Sequence, residues 1–123
     1  MNDDLTRGTV IGVLIYKILL PAEWAAFEAA GRFDGSPIDL RDGFVHLSSR
    51  DQVAGTALRY FADVPELVVL AVDAQLLGAW LRWEVSAHGG PYPHLYAPLP
   101  RAAVAAVHRI AGAASVDEVV PRG

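Results

Sequence analysis

Leu67-Val68-Val69-Leu70-Ala71-Val72 is the stretch from which the fold is read. It is an unbroken apolar run, rich in valine, set off by Pro65 on one side and Asp73 on the other. A run this short, with β-branched residues and no polar alternation, is the signature of a strand covered on both faces in the middle of a sheet. Such a strand needs neighbours. The chain supplies a second strand at about 11–19, where Ile11, Val13, Ile15 and Ile18 are interrupted by Gly12 and Lys17. Pro21 then opens a helix, because its missing N–H costs nothing in a first helical turn. Trp24, Phe27 and Ala30 recur at helical spacing and Gly31 stops the helix. Ser49 and Gln52 have the spacing of a capping box and open a second helix at about 50–62, with Val53, Ala57, Tyr60 and Phe61 as its inner stripe.

Further strands are expected at Gly43–Ser48, Leu81–Val85, His94–Ala97 and Val104–Ile110, and one helical turn at Asp73–Gly78. Arg32–Asp42 and Ser86–Pro93 read as loops and Pro98–Ala103 as a turn. The order β-α-β-α-β-β-β-β defines an α+β fold, pictured as a mixed, bent sheet carrying two main helices. Ile15, Trp24, Phe27, Phe44, Val69, Leu70 and Leu81 are the expected core. Residues 1–9 read as a flexible leader, 10–111 as a single domain and 112–123 as a loose tail without a core pattern.

Composition narrows the function. A chain of 123 residues supports one domain, and 53% hydrophobic residues against 20% charged is too apolar for a disordered chain. A net charge of −4 argues against a broad nucleic-acid footprint. No apolar run approaches the about 18 residues of a membrane span, and Asp3 and Asp4 do not suit a signal peptide. The absence of cysteine removes disulfides and thiolate chemistry, and fits a reducing cytoplasm. Any chemistry must come from the remaining polar residues.

Those residues gather in four places. In Asp42-Gly43-Phe44-Val45-His46-Leu47-Ser48-Ser49, His46 sits at a strand end just before a helix start, where free N–H groups at Ser49 and Arg50 can receive an anion. A histidine in an apolar strand can equally be a satisfied core residue, and Ser48 can be a helix cap or a ligand contact. In Arg82-Trp83-Glu84 the two charges share one strand face; Glu84 is either part of a structural salt bridge or an inward carboxylate in need of a donor such as His46, Lys17 or Arg82. Pro91-Tyr92-Pro93-His94-Leu95-Tyr96 puts His94 and Tyr96 on one face, as a ligand clamp or as exposed aromatics of an edge strand. Ser36, Asp39, Arg41 and Asp42 lie in the loop, where turn chemistry alone accounts for the two aspartates. His46, His94 and Glu84 are a legitimate ligand set for zinc or iron, but no local ligand spacing supports it, and metal is expected to be absent. His88 and His108 have no evident partner, and there is no GxSxG elbow.

The strings Tyr16-Lys17-Ile18, Glu23-Trp24, Gly35-Ser36, Asp42-Gly43-Phe44-Val45-His46-Leu47-Ser48, Leu81-Arg82-Trp83-Glu84 and Pro93-His94-Leu95-Tyr96 resemble the bacterial domain-of-unknown-function family 952 over about residues 14–110. Ala97 stands where that family usually has glycine. The resemblance implies a minimal version of the ADP-ribosyltransferase sheet, which holds NAD in a cleft between two halves. It also implies a ribose- or phosphate-binding role for His46 and a charge-stabilising catalytic role for Glu84. The first-strand position falls on Tyr16 or Lys17, where that superfamily uses His or Arg, and His46 stands where it uses Ser or Tyr.

Two readings follow. The first is a small ADP-ribosyltransferase-like enzyme acting on NAD or a related phosphorylated ligand, with Glu84 and His46 catalytic and Ser48, His94, Tyr96, Lys17 and Arg82 binding the ligand. The second is a non-catalytic small-ligand-binding module using the same cleft. An interaction protein would instead need exposed apolar patches. A small-molecule ligand is the expected partner, and a homodimer suits a small α+β domain.

Overall fold

The computed structural model describes residues 13–122, so Ile11, Gly12 and the leader at 1–9 lie outside the described residues. In chain order the elements are β1 (Leu14–Leu19), α1 (Pro21–Ala30), β2 (Arg32–Phe33), α2 (Pro37–Asp42), β3 (Val45–His46), α3 (Arg50–Tyr60), β4 (Leu67–Asp73), β5 (Leu81–Ser86), β6 (Gly89–Leu95), β7 (Leu99–Pro100), β8 (Val104–Ile110) and α4 (Val116–Val119). Short 3-10 segments lie at Ala74–Trp80, Arg101–Ala103 and Ala113–Ser115. The α+β class stands. Every strand pairing among the described residues is antiparallel, however, and their strands form three small sheets, β1-β4-β8, β2-β7 and β3-β6-β5, in place of one mixed sheet. A lone antiparallel bridge, Tyr16 to Ser48, joins the first sheet to the third.

β4 is the central strand that its sequence demands. Val68, Leu70 and Val72 face one core with Ile15, Leu19, Trp24 and Phe27, while Leu67, Val69 and Ala71 face a second with Tyr16, Ile18, Val53, Ala57 and Val116. Alternation sends successive side chains to opposite faces, so a strand with a core on each side has no polar position left. α1 covers the first face and α3 the second. Leu20 N–H donates to Glu23 Oε1 at 2.9 Å at the start of α1, and Gly31 ends it at φ 81° with its N–H on Phe27 O. Only a residue free of a Cβ takes that left-handed turn cheaply. Ser49 N–H donates to Gln52 Oε1 at 2.9 Å, the expected reach-back bond of the capping box that starts α3.

Several expectations give way. The loop at Arg32–Asp42 contains β2 and α2, because Ser36, Pro37 and Asp39 are themselves the cap, first-turn proline and acidic third residue of a helix. Ser86–Pro93 is mostly strand: β5 and β6 form a hairpin that turns at Ala87 and His88. The tail expected to be loose at 112–123 folds as far as it is described, and buries Ala113, Val116 and Val120 against the second core. Arg50 holds it there, donating to Asp117 Oδ1 and to the carbonyls of Asp117, Val120 and Pro121. Of the expected core, Phe44 and Leu81 are only half-buried, and Tyr60 of the α3 stripe is exposed. No helix among the described residues is long and apolar enough to cross a membrane.

Candidate functional site

The polar residues converge where the first sheet meets the third. Lys17 is on the same face of β1 as Ile15 and Leu19, aimed into the protein. Its ammonium donates to Asp39 Oδ2 at 2.9 Å and to the His46 carbonyl at 3.0 Å. Asp39 is the hub. Its carboxylate is 1% exposed and also accepts from Ser36 N–H and Oγ, from His46 N–H at 3.1 Å and from His46 Nδ1 at 2.6 Å. Burial alone would raise this carboxyl. The His46 hydrogen bond, the Lys17 charge and the α2 cap more than offset it and hold Asp39 well below the usual carboxylate range. Burial pushes the Lys17 ammonium below its ordinary value, against the pull of Asp39.

The other nitrogen of His46, Nε2, lies 3.0 Å from Asp42 Oδ2. Arg41 draws the Asp42 carboxyl down, with His46 adding to the effect. His46 thus spans two carboxylates and keeps neither ring nitrogen open toward a ligand or metal. Across the β3–β6 ladder His46 faces His94, and across β6–β5 His94 faces Arg82. Phe44 fills the space between the histidines, stacked on His94 at 4.0 Å between ring centroids and tilted to His46 at 4.6 Å.

His94 Nδ1 lies 2.7 Å from Glu84 Oε1, and Tyr96 donates its phenolic proton to the same oxygen at 2.7 Å. The Tyr96 bond first, and the His94 bond second, lower the Glu84 carboxyl; the same contact raises the Tyr96 phenol. Arg82 stands over the Tyr96 ring at 5.3 Å. The donors to Glu84 are therefore His94 and Tyr96, whereas sequence reasoning looked to His46, Lys17 or Arg82.

A cleft of about 670 Å³ opens beside these groups. Lys17, His46, Ser48 and His94 line it, together with Asp39, Asp42, Phe44, Arg59 and Tyr92. Glu84, Arg82 and Tyr96 are not among its lining residues: Glu84 sits behind His94, and Tyr96 lines a smaller neighbouring cleft. The shared parity of these side chains is as expected, but parity fixes a face and not which side of a histidine a carboxylate occupies. Ser48 is no helix cap; Ser49 is. The Ser48 hydroxyl lies 3.0 Å from Thr56 Oγ1. Of the two backbone groups expected to receive an anion at the α3 start, Ser49 N–H is taken by the Gln52 side chain, and the Arg50 guanidinium is turned to the C-terminal segment and away from that site.

Sequence reasoning missed Asp39 as the organiser. The signal was present in Ser36-Pro37-Ile38-Asp39, a helix start that ties its own acid down instead of leaving it in a solvated turn. His94 Nε2 has no protein partner among the described residues, and no side-chain nitrogen or oxygen there is both buried and unpartnered. That nitrogen therefore keeps access to solvent, and His94 is one of the residues that line the cleft.

The chain belongs to the family described as "Protein of unknown function (DUF952)", whose match spans residues 18–107. The crystal structure of protein CC0527 from Caulobacter crescentus is similar at 50% identity and a TM-score of 0.75, covering 78% of this chain and 84% of that one. The solution NMR structure of CC0527 gives 50% identity and a TM-score of 0.70 over 77% and 82% of the two chains. No curated protein matches the sequence.

Proposed function

We propose that the cleft is a small-ligand site in which His94 is the acid–base group, and that its ligand is NAD or a related phosphorylated compound. The observation that carries this reading is the Glu84–His94 pair, which ties up one ring nitrogen of a histidine that lines the cleft and leaves Nε2 without a protein partner. A carboxylate that accepts from Nδ1–H places the lone pair on Nε2 and stabilises the imidazolium formed when that lone pair takes a proton. The volume falls within the about 300–1,000 Å³ usual for small-molecule pockets. Phe44 and Tyr92 offer flat apolar surface, and Arg59 has no carboxylate partner among the described residues. Those features suit a ligand with one planar and one anionic part.

The ADP-ribosyltransferase resemblance supports NAD as the first ligand to try, through a cleft set between sheets. The catalytic arrangement it implies does not fit these residues. Glu84 Oε1 is engaged by Tyr96 and His94 and lies outside the cleft, so it is a positioning residue for His94 and not a partner of a ribose. As an enzyme, the protein would use His94 Nε2 to take the proton of a hydroxyl or water. The second reading, a non-catalytic binding module, is favoured by the carboxylates that occupy the Lys17 ammonium and both ring nitrogens of His46, which leaves His94 alone available for chemistry.

Calorimetry with NAD, ADP-ribose and inorganic pyrophosphate tests the proposal. The expected result is binding by the wild type, at least tenfold weaker binding by His94→Ala, and a displaced pH profile of binding for Glu84→Gln. A wild type that binds none of the three, or a His94→Ala variant that binds unchanged, refutes it.

A further inference from the structure

We propose that a second copy of this chain pairs with the free edge of β5, antiparallel and two-fold symmetric about Trp83, so that the partner's Arg82 reaches Glu84. β5 is the outer strand of the sheet β3-β6-β5. Leu47 N–H donates to Pro93 O at 3.0 Å, so Pro93 turns its peptide group toward β3 and away from β5. Trp83 stands opposite Pro93 and therefore directs its own N–H and C=O to the open edge. Tyr96 N–H bonds Trp80 O at 2.8 Å, which fixes the alternate set, with Arg82 and Glu84, toward β6. Trp83 thus offers both of its backbone groups along the edge, with Val85 following it, and Leu81 adds its carbonyl, its N–H being taken by Gly78 O.

Edge strands are normally blunted by proline, bulges or unpaired charge. Apart from a register shift against β6 between Glu84 and Ser86, this one is apolar where it is open: Trp83 is 44% and Val85 77% exposed, and Trp80, just before the strand, is 63% exposed. Its charges are arranged to suit a copy of itself. Pairing about Trp83 puts each Trp83 opposite the other, Leu81 opposite the partner's Val85, and Arg82 opposite the partner's Glu84. The charged pair then falls at positions without mutual backbone bonds, where cross-strand side chains come closest. The next register in either direction that still aligns the outward backbone groups sets Arg82 against the partner's Arg82, or Glu84 against the partner's Glu84. Like charges directly opposite are destabilising, so the sequence selects one register.

Both groups are available. Arg82 has no carboxylate partner among the described residues, and Glu84 Oε2 accepts no hydrogen bond there, since His94 and Tyr96 both use Oε1. The partner's Arg82 would hold the far oxygen of the carboxylate that orients His94. The pairing stands without any ligand; only its effect on His94 rests on the acid–base reading above.

Sedimentation of the full chain, with hydrogen exchange at the Trp83 amide, tests this. The wild type is expected as a dimer with a slowly exchanging Trp83 amide. Arg82→Glu and Glu84→Arg are each expected as folded monomers, because like charges then face across the two-fold axis. Mixed in equal amounts, the two variants are expected to associate, since every facing pair becomes opposite in sign. A monomeric wild type, variants that dimerise alone like the wild type, or folded variants that do not associate when mixed would overturn the proposal. If a variant does not fold, fast exchange of the wild-type Trp83 amide overturns it alone. Loss of NAD binding with the dimer intact counts against the ligand reading and leaves this one standing.

Discussion

Replacing Asp39 by Asn tests whether the site is built on a buried charge. The substitution keeps the shape and one acceptor oxygen but removes the charge that faces Lys17, whose side chain is 6% exposed. Lys17 would keep the His46 carbonyl as a hydrogen-bond partner but would lose the only carboxylate that it touches. Breaking a buried ion pair from one side costs about 3–5 kcal/mol, because the remaining charge is left uncompensated in a poorly solvating interior. The amide also presents a donor NH₂ either to Lys17 and Ser36 or to the His46 nitrogens, so at least one of the five bonds into Asp39 becomes repulsive. For a chain of this length the loss corresponds to a fall in Tm of about 10–20 °C. Thermal and urea denaturation followed by circular dichroism reads it directly. A change below about 1 kcal/mol would mean that Lys17 is as well solvated in the variant as in water, and the description of Asp39 as a buried hub would be wrong. The double variant Lys17→Met, Asp39→Asn should recover part of the loss but not all of it, because Asp39 also serves Ser36 and His46.

Acid should act through the same residue. The folded Asp39 carboxyl lies below its unfolded value of about 3.9, so below that pH the unfolded chain binds more protons. Stability contributed by Asp39 is therefore full above about pH 4 and falls as pH drops toward the folded value; urea titrations between about pH 5 and 2 should show a slope that Asp39→Asn flattens. Phe27→Ala removes a fully buried ring that packs edge-on to Trp24 at 5.3 Å, and should cost about 3–5 kcal/mol in the same assay. Arg50→Ala removes the bonds that hold the C-terminal segment, and hydrogen exchange should show residues 113–120 opening well before the central sheet.

What the sequence disclosed, and what it hid, follows the range of each interaction. β4, the Gly31 stop of α1 and the capping box of α3 were legible because each is encoded within a few neighbouring residues. Strand parity made legible that His46 shares a face with Ser48 and His94 with Tyr96, but not that β3 pairs with β6 and so sets His46 opposite His94. The position of Glu84 behind His94 was not legible either, because it depends on the diagonal reach of one side chain across a ladder. The folded C-terminal segment carries a faint signal, Ala113, Val116 and Val120 at helical spacing, which is too short to stand out without the face of β4 that needs covering. Asp39 was visible as a turn residue and hidden as a hub, since the lysine that makes it one lies more than twenty residues upstream.

The pairing pattern also sets the tempo of folding. Among the described residues only the β5–β6 hairpin closes over a short turn. β1 must find β4, and β3 must find β6, across nearly half the chain in each case. Chains dominated by such distant pairings lose much of their freedom before any contact compensates, and fold over about milliseconds to seconds where helical bundles take microseconds. Lys17 gives up its water only when β1 lies beside both α2 and β3, so the ion cluster around Asp39 can close only after the sheets have met. A chain caught with the hairpin formed and β1 undocked would hold the Glu84–His94 pair while lacking Lys17 from its cleft wall.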